Sequence, residues 1–213
     1  MRKHLAMIGD IVDSRGLDNR EAVQLRLEQV LAEINVRFAN AIRSKFLSTV
    51  GDEFQGLLVP SSEAFTIINT VLDKMHPVEF RFGLGYGEIT TPLQETAIGM
   101  AGPAFYGARQ ALDYLKNSKE ISARLRGPDL DKARVRAINA IFSSLSIIRQ
   151  FWPDNFKAIL PSLRTDLTQQ EIARIARVTQ SAVSSRLHRA KWRQVKAIEG
   201  ELIYMLDATF YNL

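Results

Sequence analysis

Phe46-Leu47-Ser48-Thr49-Val50-Gly51-Asp52-Glu53-Phe54-Gln55-Gly56-Leu57-Leu58-Val59 decides the fold. Two short apolar runs, Phe46 to Val50 and Phe54 to Val59, flank Gly51-Asp52-Glu53, and a short turn between two β-type runs reads as a hairpin. Upstream, Val23, Leu27, Val30, Leu31, Ile34 and Phe38 recur at three- and four-residue spacing, which predicts a helix over 17–42. Before it, His4 to Ile11 is an apolar run ending in Gly9-Asp10, a strand. Downstream, Ser61 starts a helix with Ala64, Phe65, Ile68, Val71 and Leu72 on one face. Phe80, Phe82, Leu84 and Tyr86 alternate in a strand over 78–90. Gly102-Pro103 opens a helix to about Lys116, and Glu120 to Leu125 supplies a last strand. The order is β-α-β-β-α-β-α-β, whose first six elements have the ferredoxin-like, or palm, pattern.

Beyond Arg126-Gly127-Pro128-Asp129 only helices are predicted: 132–151, stopped by Trp152-Pro153, then 154–163, 168–176 and 180–209. The expected class is α+β: a ferredoxin-like palm domain over 1–127, a linker helix over 128–153, and an all-α helix-turn-helix domain over 154–213.

The 213 residues are 46% hydrophobic and 24% charged, an ordinary globular mix that excludes a disordered or low-complexity chain. No apolar run reaches the length of about 18 residues that a membrane helix needs. The first ten residues lack the apolar core of a secretory signal. The absence of cysteine excludes disulfides, thiolate metal sites and cysteine nucleophiles. A cytoplasmic location with no membrane partner is expected. Residues 1–127 carry 15 basic and 15 acidic side chains, whereas 151–199 carry 9 basic and 4 acidic. A basic excess confined to one region points to a polyanion partner.

Two acidic motifs fall at matching places in the strand order. Asp10 ends the first strand in Gly9-Asp10-Ile11-Val12-Asp13-Ser14, and Asp52 sits in the hairpin with Glu53 beside it. In a palm sheet the first strand lies beside this hairpin, so Asp10 and Asp52 are expected to converge on Mg2+ or Mn2+, which take carboxylates and phosphate oxygens. Asp13-Ser14-Arg15-Gly16 is expected to open the first helix, where free N–H groups suit a triphosphate. The plain alternative is that Gly and Asp are ordinary turn residues.

Gly9-Asp10-Ile11, Val50-Gly51-Asp52-Glu53-Phe54 and the strand Phe80 to Gly87 resemble the class III nucleotidyl cyclases over roughly residues 3–117. Val50 to Phe54 is also similar to the signature of GGDEF diguanylate cyclases. With its C-terminal region, the whole chain resembles the bacterial SatD family. The cyclase resemblance implies Asp10 and Asp52 as metal aspartates, the Ile11 carbonyl as a further ligand, and a nucleotide held with help from Asp13, Ser14, Arg15, Glu53 and Arg109. There are departures. Tyr106 stands where cyclases carry Asn, Arg109 is one position early, about 100° around the helix, and Ser48 replaces the purine-reading lysine, with Lys45 near. The metal half of a cyclase site is kept while the base-reading half is altered.

In 168–190, Thr168 and Glu171 form a T-x-x-E capping box. Thr179 then caps a second helix, with Val183 and Leu187 facing back onto the first and small Ala173 permitting close approach. This resembles the helix-turn-helix of sigma-factor region 4, with Arg177 at the turn position usually given to glycine. Gln180, Ser181, Ser184, Ser185 and His188 form a polar outer face suited to base edges, and Arg186, Arg189, Lys191 and Arg193 suit DNA phosphates. A helix-turn-helix used only for protein contact is the bland alternative. Val195, Ile198, Leu202, Ile203, Leu206 and Phe210 form a stripe that either packs on its own domain or pairs in a homodimer. The leading expectation is a SatD-like DNA-binding transcription regulator that senses a nucleotide with Mg2+. The rivals are a nucleotidyl cyclase-like enzyme and a degenerate palm serving as a dimerisation scaffold.

Overall fold

The structure, a computed structural model, describes residues 3–49 and 52–211. The hairpin tip Val50-Gly51 lies outside the described residues. Every residue of β1 (His4–Ile11) is buried, which places it in the middle of the sheet. It pairs antiparallel with β3 (Glu53–Leu58) on one side and with β4 (Phe80–Gly87) on the other. β2 (Ile42–Ser48) pairs antiparallel with β3, and β5 (Ala123–Arg126) parallel with β4. The order β2-β3-β1-β4-β5 is the ferredoxin-like sheet with one strand added.

Side chains alternate across the sheet. Leu5, Met7 and Ile11 point to one face, where α1 (Arg20–Arg37) and α2 (Glu63–Lys74) bury Leu27, Leu31, Ile34, Phe65 and Ile68 against Phe54, Phe80 and Phe82. Ala6 and Ile8 point to the other face, covered by α3 (Pro103–Ser118) through Ala104, Ala108 and Leu112. α3 lies directly on the backbone of β4. A Cβ on Gly83 would stand 2.0 Å from the Ala108 carbonyl oxygen, and one on Gly85 1.9 Å from that of Ala104.

The first helix is shorter than its periodicity predicts. α1 stops at Arg37, and Ile42, expected to be helical, opens β2. The start moves too: Asn19 caps α1 by accepting from the Ala22 amide at 3.0 Å, so residues 13–16 do not open it. They form a separate 3-10 turn at Ser14–Gly16 after a left-handed Asp13.

After β5, α4 (Lys132–Gln150) returns over the α1/α2 face and buries Ile138 and Phe142 in the same core. Asn139 of α4 clasps the outer edge of β5, accepting from the Leu125 amide at 2.7 Å and donating to its carbonyl at 3.0 Å. At the opposite edge, β2 is met by the 95–97 segment, where the Lys45 amide donates to the Glu95 carbonyl and the Ala97 amide to that of Lys45. Then come α5 (Asp154–Lys157), α6 (Leu160–Leu163), α7 (Gln169–Ile175), α8 (Gln180–Arg189) and α9 (Trp192–Tyr211). They share a second core of Trp152, Phe156, Leu160, Ile172, Val183 and Val195.

The single helix expected over 180–209 is two helices. Lys191 takes a left-handed φ of 53° between α8 and α9. Trp152 fixes this break, donating its indole N–H to the Ala190 carbonyl at 3.1 Å while its ring meets Trp192 edge-on. The apolar stripe of α9 is used within the chain. Leu202 and Leu206 are fully buried in the first core, with Ile203 and Phe210 packed against it. Of the two outcomes expected for that stripe, packing on its own chain is the one these residues take.

A buried ionic network also ties the two cores. The Asp73 carboxylate of α2 accepts from Arg149 of α4 and, at 2.6 Å, from Nε of Arg164, whose fork holds Glu199 of α9 at 2.9 and 3.0 Å. Two guanidinium and two carboxylate groups balance. Burial works against the charged form of Arg164, but Glu199 and Asp73 outweigh it and raise its pKa.

Candidate functional site

The β1 register aligns three charged residues across the sheet: Asp10 lies opposite Glu53 on β3 and Arg81 on β4. Asp10 shares the parity of Ala6 and Ile8, so this row faces α3. Arg109 and Lys116 of α3, seven residues or two turns apart, point down onto it. Lys116 Nζ lies 2.7 Å from Asp10 and 3.0 Å from Glu53. Arg109 grips both Glu53 oxygens, at 2.8 and 2.7 Å. Arg81 stands 3.6 Å from Asp10 and donates through Nε to the Glu120 carbonyl at 3.0 Å. Asp52 enters from the end of the hairpin. Its side chain accepts from the Ser14 hydroxyl, and its carbonyl accepts from the Ile11 amide at 3.1 Å.

Burial pushes the Asp10 carboxyl up, Lys116 pulls it down, and the charges of Asp52 and Glu53 push it up again, leaving it raised. The Arg109 fork holds Glu53 below the ordinary carboxylate range. Burial opposes the charged Lys116 ammonium, but its bonds to Asp10 and Glu53 together raise its pKa.

Of the residues expected here, Asp10, Asp52, Glu53, Ser14 and Arg109 come together, and Ile11 reaches the group through its amide. Asp13 bends the chain at φ 50°, and its carbonyl accepts from the Gly16 amide at 2.9 Å, so that N–H does not point to a ligand. Arg15 is exposed. Lys116 and Arg81 were not predicted. The seven-residue spacing of Lys116 from Arg109 marks one helix face, and Arg81 lies between two core phenylalanines, where alternation turns it to the opposite face.

Asp10 and Asp52 are hard oxygen donors of the kind Mg2+ and Mn2+ take. Among the described residues, no group of three His, Cys, Asp or Glu side chains is placed to hold a metal ion. Two carboxylates completed by phosphate oxygens are the form these ions accept. The cavity between Phe65, Phe82, Phe142 and Arg149 lies on the other face of the sheet and encloses about 90 Å3.

In the helical part, the Glu171 amide donates to the Thr168 hydroxyl at 3.3 Å and the Thr168 amide to the Glu171 carboxylate at 2.8 Å. Thr179 caps α8 by accepting from the Ala182 amide at 3.1 Å. Buried Ala173 and Val183 set α7 against α8. Gln180, Ser181, Ser184, Ser185, His188 and Arg189 are exposed along α8, and Lys191 and Arg193 are exposed beyond it on another axis. Arg186, half-buried, donates to the Asn155 carbonyl at 3.0 Å and ties α8 to α5. Arg177 holds the turn at φ 52°. A non-glycine residue there costs about 1 kcal/mol, so Arg177→Gly is expected to raise stability by up to about 1 kcal/mol in urea unfolding. A loss would show that the Arg177 side chain supports the turn.

Among the described residues, no helix is long and apolar enough to cross a membrane. No curated protein matches the sequence. Among solved structures, a bacterial light-regulated adenylyl cyclase is similar over 65% of this chain and 79% of that one, at 13% identity and a TM-score of 0.45. A Csm1-Csm4 cassette in complex with one ATP matches 97% of this chain and 36% of that one, at 13% identity and a TM-score of 0.41. The same cassette in complex with cA3 gives equal coverage and identity and a TM-score of 0.42. The SatD family profile matches residues 4–196, from the first strand through the helix-turn-helix into α9, and the chain therefore belongs to the SatD family.

Proposed function

We propose that this SatD protein is a DNA-binding regulator whose sheet domain takes a nucleotide together with Mg2+ or Mn2+. The observation that carries the reading is the charged cluster in which Asp10 and Glu53 are paired with Lys116 and Arg109. Two carboxylates and two cations satisfy one another there, beside Asp52. A metal–polyphosphate complex brings the opposite charges in the same arrangement. Lys116 and Arg109 exchange carboxylate for phosphate, and Asp10 and Asp52 exchange ammonium and hydroxyl for the metal, whose charge also faces Glu53. Tyr106, exposed in place of the cyclase Asn, is why binding leads over catalysis. Functionally, 1–127 is the sensing unit and α7–α8 the DNA-contacting unit, with α4 and α9 holding them in fixed relation.

The test is a thermal-shift titration of nucleoside triphosphates with and without Mg2+. Ligand at a hundred times its Kd adds about 2.7 kcal/mol of stability. Asp52→Asn is expected to remove the Mg2+ dependence and Lys116→Met to weaken binding at every Mg2+ concentration. The proposal is lost if no nucleotide shifts the folded wild type. Conversion of the triphosphate, followed by ion-exchange chromatography, would make the chain an enzyme.

DNA binding is read by fluorescence anisotropy at several salt concentrations. A log–log slope of about −0.9 per neutralised phosphate is expected, reduced by about one unit in Arg189→Ala. Arg186→Ala is expected to lower stability rather than the slope, because its guanidinium already serves Asn155. Failure of the folded protein to bind any duplex at low salt would reduce α8 to a protein contact.

A further inference from the structure

Seven arginines of the described chain are half-buried: Arg81, Arg109, Arg124, Arg134, Arg149, Arg164 and Arg186. Six donate to, or pair with, an oxygen: Arg81, Arg109, Arg149 and Arg164 meet carboxylates, and Arg134 and Arg186 meet backbone carbonyls. Arg124 is the exception. Its Nε is buried and meets no acceptor among the described residues, nor does any carboxylate among them pair with its guanidinium. What holds it is a ring: the guanidinium carbon lies 3.6 Å from the centroid of Tyr114 on α3.

Withdrawing part of a guanidinium from water without an acceptor is unfavourable, so this placement calls for one. Arg124 lines an open groove of about 260 Å3 where the end of α3, β5 and one face of α4 meet. Arg136 lines the same groove from α4 and also has no carboxylate partner among the described residues. Ser143, two turns further along α4, adds a hydroxyl, and Glu120 is the one acidic side chain in the lining. The Ser143 hydroxyl donates to Glu120 at 3.4 Å, a long bond that an incoming oxygen can replace.

We infer that this groove is a binding site for a phosphate group, gripped by the planar fork of Arg124 and the guanidinium of Arg136. The chemistry selects an oxyanion of that shape. A guanidinium held over a ring keeps its planar set of N–H donors, which match two oxygens of one phosphate. Two cations against one carboxylate favour an anion, and the groove holds far more than one phosphate, leaving room for a phosphorylated molecule. The site shares no residue with the Asp10 cleft and does not rest on the nucleotide reading given for it. Arg81 links the two, touching Asp10 on one side and the Glu120 carbonyl on the other.

The experiment is isothermal titration of the full chain, without divalent metal, with inorganic phosphate and then with a nucleoside monophosphate. Saturable binding is expected. Arg124→Ala and Arg136→Ala should each weaken it about tenfold or more, the loss of a charged hydrogen bond. Arg124→Lys should recover only part, because a point charge lacks the fork. Glu120→Gln should tighten binding, an effect that a purely structural role for these residues would not give. Arg43→Ala, an exposed arginine of β2 that belongs to neither site, should leave phosphate affinity unchanged. Tighter binding of the monophosphate than of phosphate identifies a phosphorylated molecule as the occupant; equal binding identifies the free ion. Exposed Arg136 makes its alanine variant safe for folding, and circular dichroism checks Arg124→Ala. The inference is overturned if folded wild type shows no saturable binding, or if both alanine variants bind as the wild type does.

Discussion

Asp73→Ala is expected to lower the melting temperature of the full chain by about 6–20 °C. The Asp73 side chain is 2% exposed and is shared by Arg149 and Arg164. Removing it leaves Arg164 with Glu199 but strips Arg149 of its carboxylate inside the protein. Breaking a buried pair from one side costs about 3–5 kcal/mol, and in a chain of this size each kcal/mol moves the midpoint by about 2–4 °C. Because Asp73 is on α2 and its partners are on α4 and after α6, the sheet core and the helical core should loosen together. Calorimetry of the full chain decides it. A midpoint within about 2 °C of the wild type would mean that the arginines find water once released.

Gly85→Ala should also be damaging, through geometry alone. The added methyl would sit 1.9 Å from the Ala104 carbonyl oxygen and 2.3 Å from the Ala108 amide nitrogen. Both are backbone atoms of α3 and cannot rotate away, so the helix must lift as a body. Overpacking of this kind costs about 1–3 kcal/mol, occasionally more. The lift carries Arg109 and Lys116 off Glu53 and Asp10, so nucleotide affinity should fall along with stability. Gly200→Ala is the matching control. Nothing lies within 4 Å of a Cβ there, the position is inside α9, and alanine should stabilise by about 0.5–1 kcal/mol. If Gly85→Ala melts like the wild type, the close approach of α3 to β4 is not real.

The sheet was legible because its signals are local. The hairpin, β1 and the alternation of β4 each declare themselves within about eight residues. The end of α1 was hidden because the Ile42 amide still bonds to the Phe38 carbonyl at 3.1 Å, so helical spacing runs up to the first residue of β2 with no glycine or proline to mark the change. The break at Lys191 carries no local signal either; it is imposed by Trp152, some 40 residues earlier in the chain. Of the cleft, the acidic residues were readable from their turns. Lys116 was not, since an unpaired lysine near a helix end is ordinary until the fold shows what it faces. The bond of Arg186 depends on Asn155, a partner 31 residues away.

The two closed flanks of the sheet bear on how copies of this chain meet. A bare outer strand offers a row of free amides and carbonyls to any neighbouring chain. Here an asparagine clasp guards one flank and a strap of backbone at 95–97 guards the other. A second copy cannot lengthen the sheet from either side without first undoing these bonds. Strand-by-strand stacking, the usual route from sheet to fibre, therefore begins with a local unfolding step.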